Sequence, residues 1–155
     1  MHKYEQTGVL SSRDLIYPSL KQLQKGVAII ECVQEIPCNP CVDSCPVHAI
    51  SMKDINAPPV CDYDACIACG KCVGICPGLA IFVVKLKDDK AHITVPYEFL
   101  PVPAVGDVVD ALDREGKKRD KALVKNVVKK GKTMVVTIEV EQPLAMEIRN
   151  IRVNA

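Results

Sequence analysis

The sequence predicts an α+β unit built as a pseudo-two-fold repeat, followed by a small, mostly antiparallel β domain of barrel-like form. Three observations carry this. All nine cysteines fall between residues 27 and 90. Within that segment, a shift of 31 residues lays one cysteine-rich stretch on another. Residues 91–155 have no cysteine and are rich in Val, Thr, Ile and Lys. A chain of 155 residues suffices for one ordinary domain or two small ones. Composition divides it into a leader, 1–26, a cysteine segment, 27–90, and a β-rich tail, 91–155.

The leader predicts one helix. Pro18 suits a first helical position, Leu20 and Leu23 offer an apolar stripe, and Gly26 supplies the stop. In the cysteine segment the 31-residue shift superimposes Cys38 on Cys69, Cys41 on Cys72 and Cys45 on Cys76. Pro46 then falls on Pro77, Ala49 on Ala80 and Ile50 on Ile81. So many matches in register mark an internal repeat. Each copy reads as a cysteine loop, a short helix ending near Cys-Pro, and a strand. The run VAIIECV, starting at Val27, reads as a strand before the first copy.

The tail reads as five β-rich runs: HITVPYEFL, VGDVVDALD, KALVKNVVKK, TMVVTIEVE and MEIRNIRVNA. Glycine-centred turns at REGKK and KKGKT separate some of them, and alternation is clear from Thr137 to Glu141 and from Ile148 to Val153. This pattern suggests an antiparallel barrel or a curled sheet.

Composition narrows the function. With two Phe, four Tyr and no Trp, the core must bury aliphatic residues or be braced by something such as a metal. The net charge of +1 argues for no global attraction to nucleic acid or membrane. By segment the balance is +2, −3 and +2 from leader to tail, which suits docking of an acidic cysteine segment on a basic partner. The first residues hold no apolar core of a signal peptide, and the longest apolar run, Leu79 to Val84, is too short to span a bilayer. A cytoplasmic location is expected, where cysteine clusters are metal ligands more often than disulfides.

The strongest motif is Cys66-x2-Cys69-x2-Cys72-x3-Cys76-Pro77. Three thiolates at this spacing let the backbone wrap one corner of a cubane, with loop N–H groups aimed at its sulfides. Ala68, Gly70 and Gly74 keep side chains small where the backbone must approach closely. Zinc knuckles also use Cys-x2-Cys pairs, but they need no third and fourth cysteine followed by proline, twice over. Residues 27–90 thus resemble a bacterial two-cluster ferredoxin domain, in which the fourth cysteine of each run serves the other cluster. The resemblance implies two 4Fe–4S clusters. One is held by Cys66, Cys69, Cys72 and the crossing Cys45. The other begins with Cys38, Cys41 and the crossing Cys76.

At the remaining position of the second site the repeat places Glu35, not cysteine. Cys32, three residues earlier, is a nearby thiolate and is taken as the fourth ligand, since soft donors suit these clusters. Cys61, an oxygen of Glu35, or a three-iron (3Fe–4S) cluster with three cysteines are the alternatives. With Cys32 as ligand, Cys61 is left as a small buried hydrophobe. The stretch ECVQEIPCNPC also resembles, less specifically, small iron–sulfur subunits of multi-subunit FAD-dependent dehydrogenases acting on amino acids or amines. That resemblance implies a flavin-dependent dehydrogenase partner and a hetero-oligomer.

The expected function is electron transfer, as a subunit relaying electrons between a partner flavoprotein and an acceptor, with leader and tail assigned to docking. No catalytic set appears: His2, His48 and His92 form no constellation, and no phosphate loop is present. The rival reading is a cluster-containing regulatory or nucleic-acid-binding module using the basic stretch Lys117 to Thr133. That stretch lacks interleaved aromatics for base stacking and equally fits a solvated strand pair.

Overall fold

The computed structural model describes residues 2–154. The leader holds two short helices, α1 (Lys3–Thr7) and α2 (Leu20–Lys25). A capping box starts α2: the Ser19 hydroxyl accepts from the Gln22 amide at 3.2 Å, and the Gln22 side chain accepts from the Ser19 amide at 2.8 Å. The N-cap is therefore Ser19, and Pro18 lies outside the helix rather than at its first position. Serine can accept the orphan amide bond and proline cannot, which decides the boundary. Gly26 ends the helix as expected, at φ 95°.

The cysteine segment runs β1 (Val27–Ile30), α3 (Pro40–Ser44), β2 (Ile50–Ser51), β3 (Val60–Cys61), α4 (Lys71–Ile75) and β4 (Ile81–Lys87). The bounds of α3 and α4 differ by 31 residues, the offset of the sequence repeat. So do two strand pairings: Ile50 faces Cys61 in the small β2–β3 sheet, and Ile81 faces Ile30 in the β1–β4 ladder. β1 is shorter than the expected strand and stops before Cys32.

The tail supplies β5 (Lys90–Tyr97), β6 (Val108–Asp113), β7 (Lys118–Lys130), β8 (Thr133–Glu141) and β9 (Ile148–Arg152). All five expected β runs form strands. They do not form a closed barrel of their own. Among the described residues they extend one antiparallel sheet of seven strands in the order β1-β4-β5-β8-β7-β6-β9, with β1 and β9 as its edges. The tight β4–β5 turn at Asp88 (φ 57°) makes adjacent strands pair across the two segments, as short connections favour. The boundary at residues 90 and 91 thus falls inside β5.

A row of aliphatic side chains crosses this junction. Val27, Val84, Ile93, Ile138 and Val124 are successive register partners on five strands, each 1% exposed or less. Burial of each such side chain contributes about 1.5–3 kcal/mol. The opposite face of β5 and β8 is polar: Lys90 pairs with Glu141, His92 with Glu139 at 2.9 Å, and Thr94 with Thr137 at 2.9 Å. Bulges in the β6–β7 and β7–β8 ladders twist the far strands. The open ends of the sheet face a cleft of about 610 Å³ whose wall includes Glu31, Phe82, Arg114 and Arg149.

The basic stretch of the tail is strand β7. Several of its cations are paired, Lys118 with Asp110 (3.2 Å), Arg119 with Asp113 (3.6 Å) and Lys125 with Glu139 (4.0 Å). Its lysines belong to a solvated sheet face, which leaves the nucleic-acid reading without support. His92 is likewise a sheet-surface residue. Among the described residues no helix is long and apolar enough to cross a membrane.

Candidate metal centres

The nine cysteines separate into two groups. Cys45, Cys61, Cys66, Cys69 and Cys72 line one small cavity with Ala28, Ile50 and Ala68. Cys32, Cys38, Cys41 and Cys76 line a second, with Pro40, Pro59 and Ile81. Glu35 is exposed and does not line it. Cys61 belongs to the wall of the first cavity, and Cys32 reaches the second.

Two single-turn helices distribute the sulfurs. α3 carries Cys41 toward the second cavity and ends at its C-cap, Cys45, in the first. α4 carries Cys72 toward the first and ends at Cys76 in the second. Each helix with its C-cap therefore links one cavity to the other.

Backbone amides address the sulfurs in matching ways. Ala49 N–H donates to Cys45 Sγ at 3.2 Å, and Ala80 N–H donates to Cys76 Sγ at 3.5 Å. Each turn is closed by a residue with positive φ, His48 at 54° and Leu79 at 53°. His48 N–H bonds the Cys45 carbonyl and Leu79 N–H the Cys76 carbonyl, both at 3.3 Å. His48 is thus a turn residue. Cys66 Sγ accepts from Ala28 N–H at 3.3 Å and Ala68 N–H at 3.4 Å.

These surroundings shift the thiols. The Cys61 thiol donates to Cys66 and, with the amide bonds of Ala68 and Ala28 and the nearby Lys25 charge, brings Cys66 down to about 5 despite its burial. Cys61 is pushed up by the same bond, then by burial. Burial raises Cys72 to about 12, and the neighbouring Cys66 and Cys69 add to it. Burial also raises Cys32 and Cys41, with Cys76 and Cys38 contributing to both. Mutual repulsion among the sulfurs of each group follows the same partition.

The small residues of the motif have separate reasons. Gly70 caps α4 at φ 78° with open space around it, so backbone conformation selects it. Gly74 is held small by the sheet: a Cβ there would lie 2.9 Å from Lys130 Cβ and Cγ and 3.2 Å from Val135 Cγ2. The close approach at Gly74 is thus to the sheet.

Sequence reasoning missed two supports. The leader braces the first loop: Lys25 Nζ donates to the carbonyls of Tyr63 and Asp64, both at 2.8 Å, and Gln22 Nε2 to Asp64 at 2.9 Å. The tail braces the chain beside Cys32, where Arg114 and Arg149 enclose the Glu31 carboxylate. Neither has a local sequence signal, because the partners lie 38 to 118 residues apart.

The donor set is sulfur, in apolar walls with amides aimed at several of the sulfurs. This fits a thiolate-held iron–sulfur cluster rather than a hard cation. A tetrahedral zinc ion would draw thiolates to about 2.3 Å from one point. Among the described residues no three His, Cys, Asp or Glu side chains gather closely enough to hold a single ion.

Comparison with known proteins agrees. Residues 62–82 match the 4Fe-4S binding domain family. The chain is 30% identical over 79 residues to the polyferredoxin-like subunit of an aliphatic sulfonate oxidoreductase from Pyrococcus furiosus, covering 48% of this chain and 46% of that protein. It is 50% identical over 53 residues to an uncharacterised ferredoxin of Methanocaldococcus jannaschii, covering 34% and 32%. It is 39% identical over 61 residues to the ferredoxin-type protein NapF of Haemophilus influenzae, covering 37% and 35%. The chain thus spans less than half the length of these relatives. No solved structure matches. Taken with the sulfur geometry, these matches support an iron–sulfur protein of ferredoxin type, with the match to the 4Fe–4S binding domain lying at residues 62–82.

Proposed function

We propose that residues 27–90 hold two 4Fe–4S clusters in a pseudo-two-fold arrangement and relay electrons between a partner flavoprotein dehydrogenase and an acceptor. Cys45, Cys66, Cys69 and Cys72 form the first cage, and Cys32, Cys38, Cys41 and Cys76 the second. The observation that carries this reading is the partition of the sulfurs around two cavities, with α3 and α4 each serving both. The clusters supply one-electron exchange. The chain supplies thiolates, amide bonds to sulfur and burial, which together set the reduction potentials.

Two helices that each carry thiolates to both cavities suit transfer between cages better than bracing of the fold. The Pyrococcus relative is named as a subunit of an oxidoreductase, which supports assembly of this chain into a larger complex. The exposed Ile16 and Leu20 of the leader, 74% and 59% exposed, give residues 1–26 an apolar surface for such docking. Residues 91–155 share the docking role while extending the sheet. A cytoplasmic location would keep the nine thiols reduced.

The test is an iron and sulfide count with electron paramagnetic resonance on anaerobically prepared protein, together with co-purification. About eight irons per chain, coupled signals in the reduced state and a flavoprotein in the purified complex are expected. About seven irons would mean a three-iron second site, and about four a single cluster. Salt-sensitive binding of RNA or DNA, without a flavoprotein, would replace the relay role with the nucleic-acid one.

A further inference from the structure

Glu31 immediately precedes Cys32, and its carboxylate lies between two guanidiniums of the tail. Arg114, in the β6–β7 turn, donates from Nε to Oε1 at 2.7 Å and from Nη2 to Oε2 at 3.0 Å. Arg149, on β9, donates from Nε to Oε2. The side chains of Glu31, Arg149 and Arg114 are 6%, 3% and 12% exposed. Arg149 is itself fixed by the carbonyls of Ile148 (2.7 Å) and Ala145 (3.0 Å) and lies 5.3 Å from the Phe82 ring centroid.

Buried ions are a poor way to stabilise a sheet, since desolvation offsets much of their attraction, and their best-attested use is to fix one arrangement. The arrangement at stake here is the approach to Cys32. In the Cys66 copy the repeat equivalent of Glu31 is Asp62, whose carboxylate closes a local turn by accepting from the amides of Asp64 (3.0 Å) and Ala65 (3.3 Å). Cys66 follows within that turn, its amide bonded to the Asp62 carbonyl at 3.0 Å. Local structure therefore delivers the first ligand. In the Cys38 copy residues 31–36 adopt no helix, strand or turn. Cys32 sits directly beside the anchor, displaced three residues from the position the repeat prescribes.

The anchor is also tied to a second sulfur. Glu31 N–H donates to the Ala80 carbonyl at 2.8 Å, and Ala80 N–H donates to Cys76 Sγ at 3.5 Å. Two of the four second-cage sulfurs thus hang from one network whose far end is in the tail. We propose that the Glu31–Arg114–Arg149 triad is a positioning device that fixes the chain at Glu31 so that Cys32 reaches the second cage. This inference rests on the reading of Cys32 as a ligand. It gives the tail a role in building one cluster and not the other.

The test uses the full chain carrying Glu31→Gln, Arg114→Met or Arg114→Lys, reconstituted anaerobically with ferrous iron and sulfide. Arg114 is chosen over Arg149 because it is the more exposed partner. Glu31→Gln and Arg114→Met should weaken iron retention at the second cage about 10-fold or more, as loss of supporting contacts does at other metal sites. The first-cage resonance should keep its intensity and midpoint potential, and Arg114→Lys should restore much of the second. In the second cage that still assembles, the midpoint should rise in Glu31→Gln, which leaves two cations unneutralised, and fall in Arg114→Met. Equal loss from both cages, or no change in either, would overturn the proposal. Cys32→Ser separates the two readings. If it leaves both four-iron clusters intact, Cys32 is no ligand and the assignment of the second cage fails. If it disrupts the second cage while Glu31→Gln and Arg114→Met do not, only the positioning role fails.

Discussion

The two cysteine-lined cavities, which we propose as cluster cages, are supported from opposite ends of the chain. The first is delivered by local structure, a turn from Asp62 to Cys66, and is steadied from outside by α2 through Lys25 and Gln22. The second lacks that turn. It draws its support from β9 and the β6–β7 turn through Glu31. On the proposed reading, a stretch with Glu35 where its counterpart has Cys66 keeps its cavity by using Cys32 upstream and a brace from far along the chain. Where local hydrogen bonds carry a loop, the rest of the protein is free to change. Where they do not, tertiary contacts must replace them.

The comparison is broken most severely by removing a sulfur deep in the first cage. Cys72→Ser should leave about four irons per chain, all in the second cage, as read by iron analysis and by loss of the coupled resonance. Loss of both clusters would mean that the cages are not independently stable. Cys32→Ser should act more gently, leaving about seven irons and a three-iron signal, because Cys38, Cys41 and Cys76 remain around the second cavity. The contrast between these variants measures how far each cage depends on a single thiolate.

A third variant tests the seam between repeat and sheet. Gly74→Val forces a branched side chain against Lys130 and Val135. Overpacking of this kind costs about 1–3 kcal/mol. A lower denaturant midpoint for bleaching of the clusters should accompany it, with α4 displaced and both cages affected, since α4 leads to Cys72 and Cys76. The smallest effect belongs to the outer sheet face. His92→Ala should cost about 0.2–1 kcal/mol at neutral pH, the range for a partly exposed pair, and leave iron content unchanged. The hydrogen bond from His92, with help from Lys125, holds Glu139 below its ordinary value against a smaller opposing effect of burial. A depressed carboxylate stabilises the fold above its unfolded value and ceases to do so as pH falls through the folded one. The difference between wild type and His92→Ala in denaturant midpoint should therefore shrink below about pH 4.5.

The sequence by itself determined the parts whose cause is local or periodic. Spacing of the cysteines predicted two sulfur groups with crossing members, and the geometry brings those residues together in that grouping. The 31-residue offset anticipated matching helices, and the structure adds matching amide bonds on Cys45 and Cys76. β-rich runs between turn residues placed the five tail strands, with alternation marking two of them, because period-two burial is written into consecutive residues. Tertiary structure alone decided the rest. That β5 pairs with β4, making one open sheet rather than a separate barrel, depends on strand edges meeting, which composition does not encode. That Cys61 joins the first cavity follows from strand register: Cys61 takes the place that Ile30 holds in the other pairing. The enclosure of Glu31 by Arg114 and Arg149 joins residues 83 and 118 positions apart. Contacts at such separation leave no periodic trace in the chain, because only the folded sheet brings their charges close enough to offset the cost of burying them.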